Sequence, residues 1–238
     1  MDYKPPAVPV ALARPVFACL SLNRGDRLRL INFPPEAVQW IEGAIKESRW
    51  PYGVQSTQVY AGRSFEFKLN GYPWHGQGSE AVGSRRLMLC ILRTLKSHGF
   101  HIVTSTDMSR SESDKDTLIF RRVQPEETPT TMFSISLNMG DKLRLIDAPP
   151  LMDTVVSECI TQFWSQGLQR TQRLGAGCTE FKLHGYPWSG QSTDAVHSRY
   201  FVMNLLSLLE ANGWRMYASI DMSSGEADKD SWFFEAIV

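Results

Sequence analysis

An α+β fold built twice, each unit an antiparallel sheet with two helices packed on one face, is predicted by three features of the sequence. These are a tandem repeat, a fixed alternation of short apolar runs with amphipathic stretches, and turn and cap residues matched between the copies. Gly71-Tyr72-Pro73-Trp74 returns as Gly185-Tyr186-Pro187-Trp188, Asp107-Met108-Ser109 as Asp221-Met222-Ser223, and Asp114-Lys115-Asp116 as Asp228-Lys229-Asp230, all offset by 114 residues. Upstream, Ser21-Leu22-Asn23 and Gly25-Asp26 match Ser136-Leu137-Asn138 and Gly140-Asp141 at an offset of 115, so a one-residue difference separates the blocks. The reading divides the chain into a flexible arm (1–16), unit 1 (17–122), a Pro/Thr/Glu linker (123–131) and unit 2 (132–238).

The elements follow in order. Phe17 to Leu22 and Leu28 to Ile31 flank a Gly-containing turn and read as a hairpin, repeated as Ile135 to Leu137 with Leu143 to Ile146. Pro34-Pro35 suits a first helical turn, and Val38, Ile41 and Ile45, or Met152, Val156, Ile160 and Phe163, recur at helical spacing. Gly53 and Gly167 are stop signals, after which Phe65, Phe67 and Leu69 alternate with Glu66 and Lys68 as in a half-buried strand. A second helix begins at Ser79 or Thr193 with a capping hydroxyl and closes at Gly99 or Gly213 in a left-handed cap followed by Phe100 or Trp214. Ile102 to Thr104 and Thr117 to Phe120 form a closing hairpin with a long loop.

Composition bounds the function classes. With 42% hydrophobic and 21% charged residues the chain buries a core and is not disordered. Lys plus Arg and Asp plus Glu each number 25, and a formal charge of zero argues against nucleic acid or an anionic membrane as partner. The run Leu87 to Leu92 falls far short of the roughly 20 apolar residues that cross a bilayer, so no membrane partner is expected. Prolines at 5, 6 and 9 and Arg14 interrupt the only stretch that resembles a secretory signal. Cys19, Cys90, Cys159 and Cys178 show no paired spacing and suit reduced thiols, which places the protein in the cytoplasm or nucleus.

Comparing the copies asks which chemistry belongs to both. The cysteines face Ser134, Asn204, Ile45 and Ser64, and His75, His98, His101, His184 and His197 face Ser189, Asn212, Arg215, Asn70 and Gly83. No zinc site, thiol nucleophile or histidine base is therefore common to the units, and no nucleotide or metal motif appears, so no cofactor is expected. The Gly-Tyr-Pro-Trp loop is the most distinctive element. It is open to two readings: a ligand or partner lip made by Tyr72, Trp74, Gln77, Tyr186, Trp188 and Gln191, or a staple in which the tryptophans pack ahead of the helix. Arg85 and Arg199 start from the stripe of positions 81, 85, 88, 92 and 95, so each calls for an internal ion pair, with Asp107 or Asp116 and with Asp221 or Asp230, or else binds an anion. The acidic loops 107–116 and 221–230 lack the EF-hand arrangement, and no metal is expected there.

The sequence reading is a non-catalytic intracellular binding or protein-interaction module. Its two units are expected to form an intramolecular pseudo-dimer about a pseudo-twofold axis, monomeric as a chain, with a groove between the aromatic loops. The protein or small-molecule ligand is not identified. An enzyme using carboxylate and arginine chemistry on an acidic or phosphorylated substrate is one alternative, requiring a raised carboxylate pKa in a concave site. A nucleic-acid binder using Arg27, Arg29, Lys68, Lys142, Arg144 and Lys182 is the other, requiring a contiguous basic face.

Overall fold

The computed structural model describes residues 15–76, 80–108, 116–175, 177–222 and 229–237. In unit 1 the order is β1 (Phe17–Asn23), β2 (Arg27–Ile31), α1 (Ala37–Glu47), β3 (Val54–Tyr60), β4 (Ser64–Leu69), a 3-10 turn (Pro73–His75), α2 (Glu80–Ser97), β5 (Phe100–Thr106) and β6 (Thr117–Arg122). Unit 2 repeats it with β7 (Met132–Asn138), β8 (Lys142–Ile146), α3 (Leu151–Phe163), β9 (Leu168–Arg173), β10 (Cys178–Leu183), α4 (Ser192–Ala211), β11 (Trp214–Ile220) and β12 (Ser231–Ala236). Each unit is a six-stranded antiparallel sheet, in the orders β3-β4-β2-β1-β6-β5 and β11-β12-β7-β8-β10-β9. Both copies carry a bulge at the same place, between Ile102 and Thr104 and between Met216 and Ala218.

The expected hairpins, glycine caps and alternating strand are all present. Gly99 and Gly213 stand at φ +80° and +84°, and the residues after them, Phe100 and Trp214, enter the core. Three details differ from expectation. β3 and β9 carry no sequence signal because both faces of an edge strand meet water; every residue of β3 is exposed. Thr193 lies inside α4, whose N-cap position is Gln191, and no side chain caps it. Finally, the buried positions Ala37, Ile41, Ala44 and Ile45 match Met152, Val156, Cys159 and Ile160, so the one-residue difference falls after the first helix. Cys159 therefore lies opposite Ala44 rather than Ile45. Residues 1–14 of the expected arm lie outside the described residues.

The units differ in burial because they stack. In β1 and β2 buried and half-buried residues alternate, whereas β7 is buried along its whole length and β8 nearly so. Phe133, Ile135, Leu137, Leu143, Leu145 and Phe181 point to α3 and α4 and form a core of unit 2 alone. Their neighbours on the opposite face, Met132, Ile146, Cys178, Ala218, Ile220 and Phe233, belong to the core of unit 1. The layers run sheet, helix pair, sheet, helix pair, with α2 packed on β7 and β8 of the other unit and the sheets meeting along β5 and β11.

Sandwiching explains the composition of α2. Towards its own sheet it presents Ser84, Leu87, Ile91 and Leu95, the counterparts of the four buried residues of α4, Ser198, Phe201, Leu205 and Leu209. A second buried set, Arg85, Met88, Leu89, Cys90, Leu92 and Lys96, has no buried counterpart on α4. Patches of different origin meet, α2 from one unit and the outer sheet face from the other, so the pairing is heterologous and the pseudo-twofold expectation is corrected.

Leu89 is 2% exposed and its counterpart Met203 is 60% exposed. Leu89→Ala is expected to cost about 2–5 kcal/mol in urea denaturation, and Met203→Ala to change stability by less than about 0.5 kcal/mol. Equal losses would contradict the stacking.

Candidate functional site

The aromatic loop is built by a positive-φ glycine, Gly71 at +74° and Gly185 at +72°, followed by the Pro73–His75 turn in unit 1 and the matching segment in unit 2. Trp74 is fully buried: its backbone N–H donates to Gly25 O at 3.0 Å and its indole Nε1 to Arg27 O at 2.8 Å. Trp188 repeats this with Gly140 O at 3.0 Å and Lys142 O at 2.9 Å. Each tryptophan thus locks its loop onto the first hairpin of its own unit, where an indole satisfies one donor and fills the core. A contact surface centred on the two rings is corrected accordingly: the staple is what the structure shows, and each loop binds its own hairpin rather than a shared groove. Tyr72 and Tyr186 remain exposed, at 62% and 68%. Gln191 is exposed at the start of α4, and Gln77 lies outside the described residues.

A second repeated pair, Trp50 and Trp164, escaped the sequence reading although it also recurs at an offset of 114 residues. Their indoles donate to Asn70 O at 3.0 Å and His184 O at 2.8 Å and pin the other end of the same loops.

Arg85 is fully buried on the inter-unit side of α2, where Nε donates to Ser231 Oγ at 2.9 Å and Nη1 to Gly76 O at 3.1 Å. Arg199 is exposed and donates to Ala195 O of its own helix. Two of the expected aspartate partners, Asp116 and Asp230, are engaged elsewhere. Asp116 accepts from Ser105 Oγ and, at 2.8 Å, from the backbone N–H of Asp221 across the unit boundary. Asp230 accepts from Ser219 Oγ at 2.8 Å. Burial raises the Asp116 carboxyl above its ordinary range, against the two hydrogen bonds it accepts. The reason for the difference is direction: Arg85 and Lys96 reach Ser231 and Glu235 of the other unit, whereas Asp116 and Asp230 each accept from a serine of their own terminal hairpin. Most of the acidic loops, 109–115 and 223–228, lie outside the described residues.

The outer sheet face carries a cluster the sequence showed only as polar alternation. In unit 1 Glu66 is 1% exposed and accepts from Arg27 Nη1 (2.8 Å), Arg29 Nε (2.7 Å) and Gln58 Nε2 (2.8 Å), and the Arg29 guanidinium lies 4.0 Å over the Tyr60 ring. Unit 2 repeats it: Glu180 accepts from Arg144 Nε (2.8 Å) and Gln172 Nε2 (3.2 Å), with Lys142 Nζ at 3.6 Å. Arginines expected for nucleic acid are thus tied to glutamates, which interrupts the basic face. The clue was available, since Arg29, Glu66 and Gln58 recur as Arg144, Glu180 and Gln172.

An open groove of about 650 Å³ runs between α1 and the β3–β4 hairpin, lined by Leu30, Phe33, Pro34, Val38, Val59 and Phe65 among others. A smaller one of about 440 Å³ in unit 2 is lined by Asp153, Ser157, Glu158 and Phe181 among others, so the pair shares no chemistry. Burial pushes the Cys159 thiol up to about 12 and Cys178 up to about 11, and raises Cys19 and Cys90 as well, which keeps these thiols protonated at neutral pH. Among the described residues no group of His, Cys, Asp and Glu is placed to hold a metal ion, and no helix is long and apolar enough to cross a membrane.

One domain-family model matches the chain twice, over residues 16–121 and again over 131–235. The chain belongs to that domain family, in two copies. No curated protein and no solved structure matches it. The two matched stretches share the hairpins, the aromatic loops and the Arg–Glu–Gln cluster, and their burial differs where one unit covers the other.

Burial alone would raise the Glu66 carboxyl; the hydrogen bonds from Arg29 and Gln58 and the charges of Arg29 and Arg27 outweigh it and hold the carboxyl below its usual range. A depressed folded value means that the contribution is present above the unfolded glutamate pKa and is lost as pH falls through the folded one. Glu66→Gln should therefore be less stable than the parent by about 1–3 kcal/mol at neutral pH, and the gap should close below the ordinary glutamate range. Urea denaturation across a pH series measures it; a gap that widens in acid would refute the pairing.

Proposed function

We propose that this chain is a non-catalytic protein-interaction module whose working surface is the outer face of the unit 1 sheet, and that the occupant is an amphipathic helix. The observation that carries this reading is the covered state of the same face in unit 2. There Ile146, Cys178 and Phe233 are fully buried in a core completed by α2. In unit 1 the corresponding positions are Ile31, Ser64 and Ile119, half-buried on an open face with Cys19 and the exposed Phe17 and Tyr60. A sheet face that combines apolar side chains with an ordered Arg–Glu–Gln cluster suits a helix with an apolar stripe and polar flanks. The protonated thiols support a binding rather than a nucleophilic role for the cysteines. Four free thiols fit an intracellular setting.

A second contact zone is favoured by the exposure of Tyr72 and Tyr186, amphipathic rings on loops whose backbones the neighbouring tryptophans fix.

The test uses Cys19, which alone among the four cysteines is not fully buried. A dye placed there reports titration of the intact chain with synthetic helices of the α2 sequence (80–97) and the α4 sequence (192–211), against a control helix of alternating Lys and Glu. Saturable binding of an apolar-striped helix is expected, with no response to the control. No response to any helix would overturn the reading.

A further inference from the structure

The stacking of unit 1 on unit 2 leaves both of its surfaces available once more, one at each end of the chain. At one end is the open face of the unit 1 sheet. At the other is the outer face of α4, where Val196, Tyr200 and Met203, at helical spacing, are 65%, 53% and 60% exposed. We propose that two copies of this chain associate head to tail, α4 of one seating on the unit 1 sheet of the next as α2 seats on the unit 2 sheet within the chain. This rests on the proposed role of the unit 1 sheet and names its partner as a second copy.

The repeat itself allows the inter-unit contacts to be transposed. Within the chain, Lys96 Nζ pairs with Glu235, Arg85 Nε donates to Ser231 Oγ, and Arg86 forms a two-pronged pair with Asp147 at 2.8 and 2.6 Å. Applying the repeat offsets, α4 and the unit 1 sheet supply Glu210 with Arg121, Arg199 with Thr117, and Tyr200 with Asn32. The Lys–Glu pair becomes a Glu–Arg pair: both partners have changed sign, and either change alone would set like charges opposite each other. The hydroxyl that receives the arginine is kept, as Thr117 for Ser231. The Arg–Asp fork is replaced by a neutral hydroxyl and amide. The apolar middle is kept, Met203 for Leu89 on the helix and Ile31 for Ile146 on the sheet. Glu210, Arg199, Tyr200, Arg121 and Asn32 are all exposed and Thr117 is half-buried. The Arg–Glu–Gln cluster does not oppose such a contact, because its unit 2 version, with Arg144 at 6% exposure, already lies beneath the covered face.

An interface between unlike patches does not saturate at two copies unless rotation closes a ring. That property supplies a test by charge exchange on the intact chain. Sedimentation velocity over a concentration series should show association beyond the dimer. Glu210→Arg sets Arg against Arg121, and Arg121→Glu sets Glu against Glu210; each should weaken association by about tenfold or more. The double variant Glu210→Arg/Arg121→Glu should restore it. Mixing the two single variants lets Glu210 of one chain meet Arg121 of the other and, at the next junction, sets the two introduced charges opposite each other with opposite sign, so the mixture should also associate beyond the dimer, with the two variants in alternation. All positions are exposed, and unchanged thermal unfolding of each variant at low concentration confirms the fold. A chain that stays monomeric at every concentration, or a double variant as weak as the singles, would overturn the proposal. So would association that appears only after deletion of residues 1–14, which would make that segment the occupant. If the chain is monomeric while the helix titration with the Cys19 dye still saturates, the interaction reading stands and self-association alone fails.

Discussion

The contact on which the rest of this molecule depends is the seating of α2 between two sheets. A six-stranded sheet with apolar side chains on both faces needs two covers, and the unit 2 sheet obtains one from α3 and α4 and the other from its neighbour. The segregation follows the alternation of the strand: Phe133, Ile135 and Leu137 of β7 belong to one core, and Met132, the first residue of the same strand, belongs to the other. Several polar groups at the junction are paired across it. Lys96 reaches Glu235 and Glu126, Arg85 reaches Ser231, the Tyr217 hydroxyl accepts from the Ile102 backbone N–H, and Asp116 accepts from the backbone of Asp221. Burial raises the Tyr217 phenol, which keeps it a neutral partner there.

Stacking of this kind makes equivalent residues do unequal work. Arg85 and Arg199 occupy the same helical position, one desolvated against a serine of the other unit and one in water on its own helix. Leu89 and Met203, Lys96 and Glu210, and Ser231 and Thr117 differ in the same sense. The two copies share a common frame of hairpins, tryptophan locks and a sheet-face cluster. Position within the stack decides which of these groups meets protein and which meets water.

The fold was largely legible in the sequence because its signals are local: glycine after each second helix, proline before each first one, and alternation in β4 and β10. The edge strands β3 and β9 were not, since VQSTQVY and LQRTQR face solvent on both sides and carry no alternation. The site was less legible for a different reason. Whether Trp74 is a lip or a lock depends on the hairpin turn at Gly25, nearly fifty residues away, and the partner of Arg85 lies in the other unit. The stripe containing 85, 88 and 92 is buried in unit 1 while Arg199, the counterpart of Arg85, is exposed, because periodicity alone does not say whether a second sheet covers it. The pairing of Glu66 with Arg27 and Arg29 depends on the register of β2 with β4, which sequence spacing does not reveal.

Native-state hydrogen exchange on the intact chain tests the shared core most directly, because it reads the opening of each element separately. With α2 serving as a cover for both sheets, the amides of α2 and those of β7 and β8 should exchange through one common opening, with the same free energy and the same denaturant dependence. Exchange of β7 and β8 through an opening that leaves α2 closed would contradict the stacking and make the two units independent neighbours.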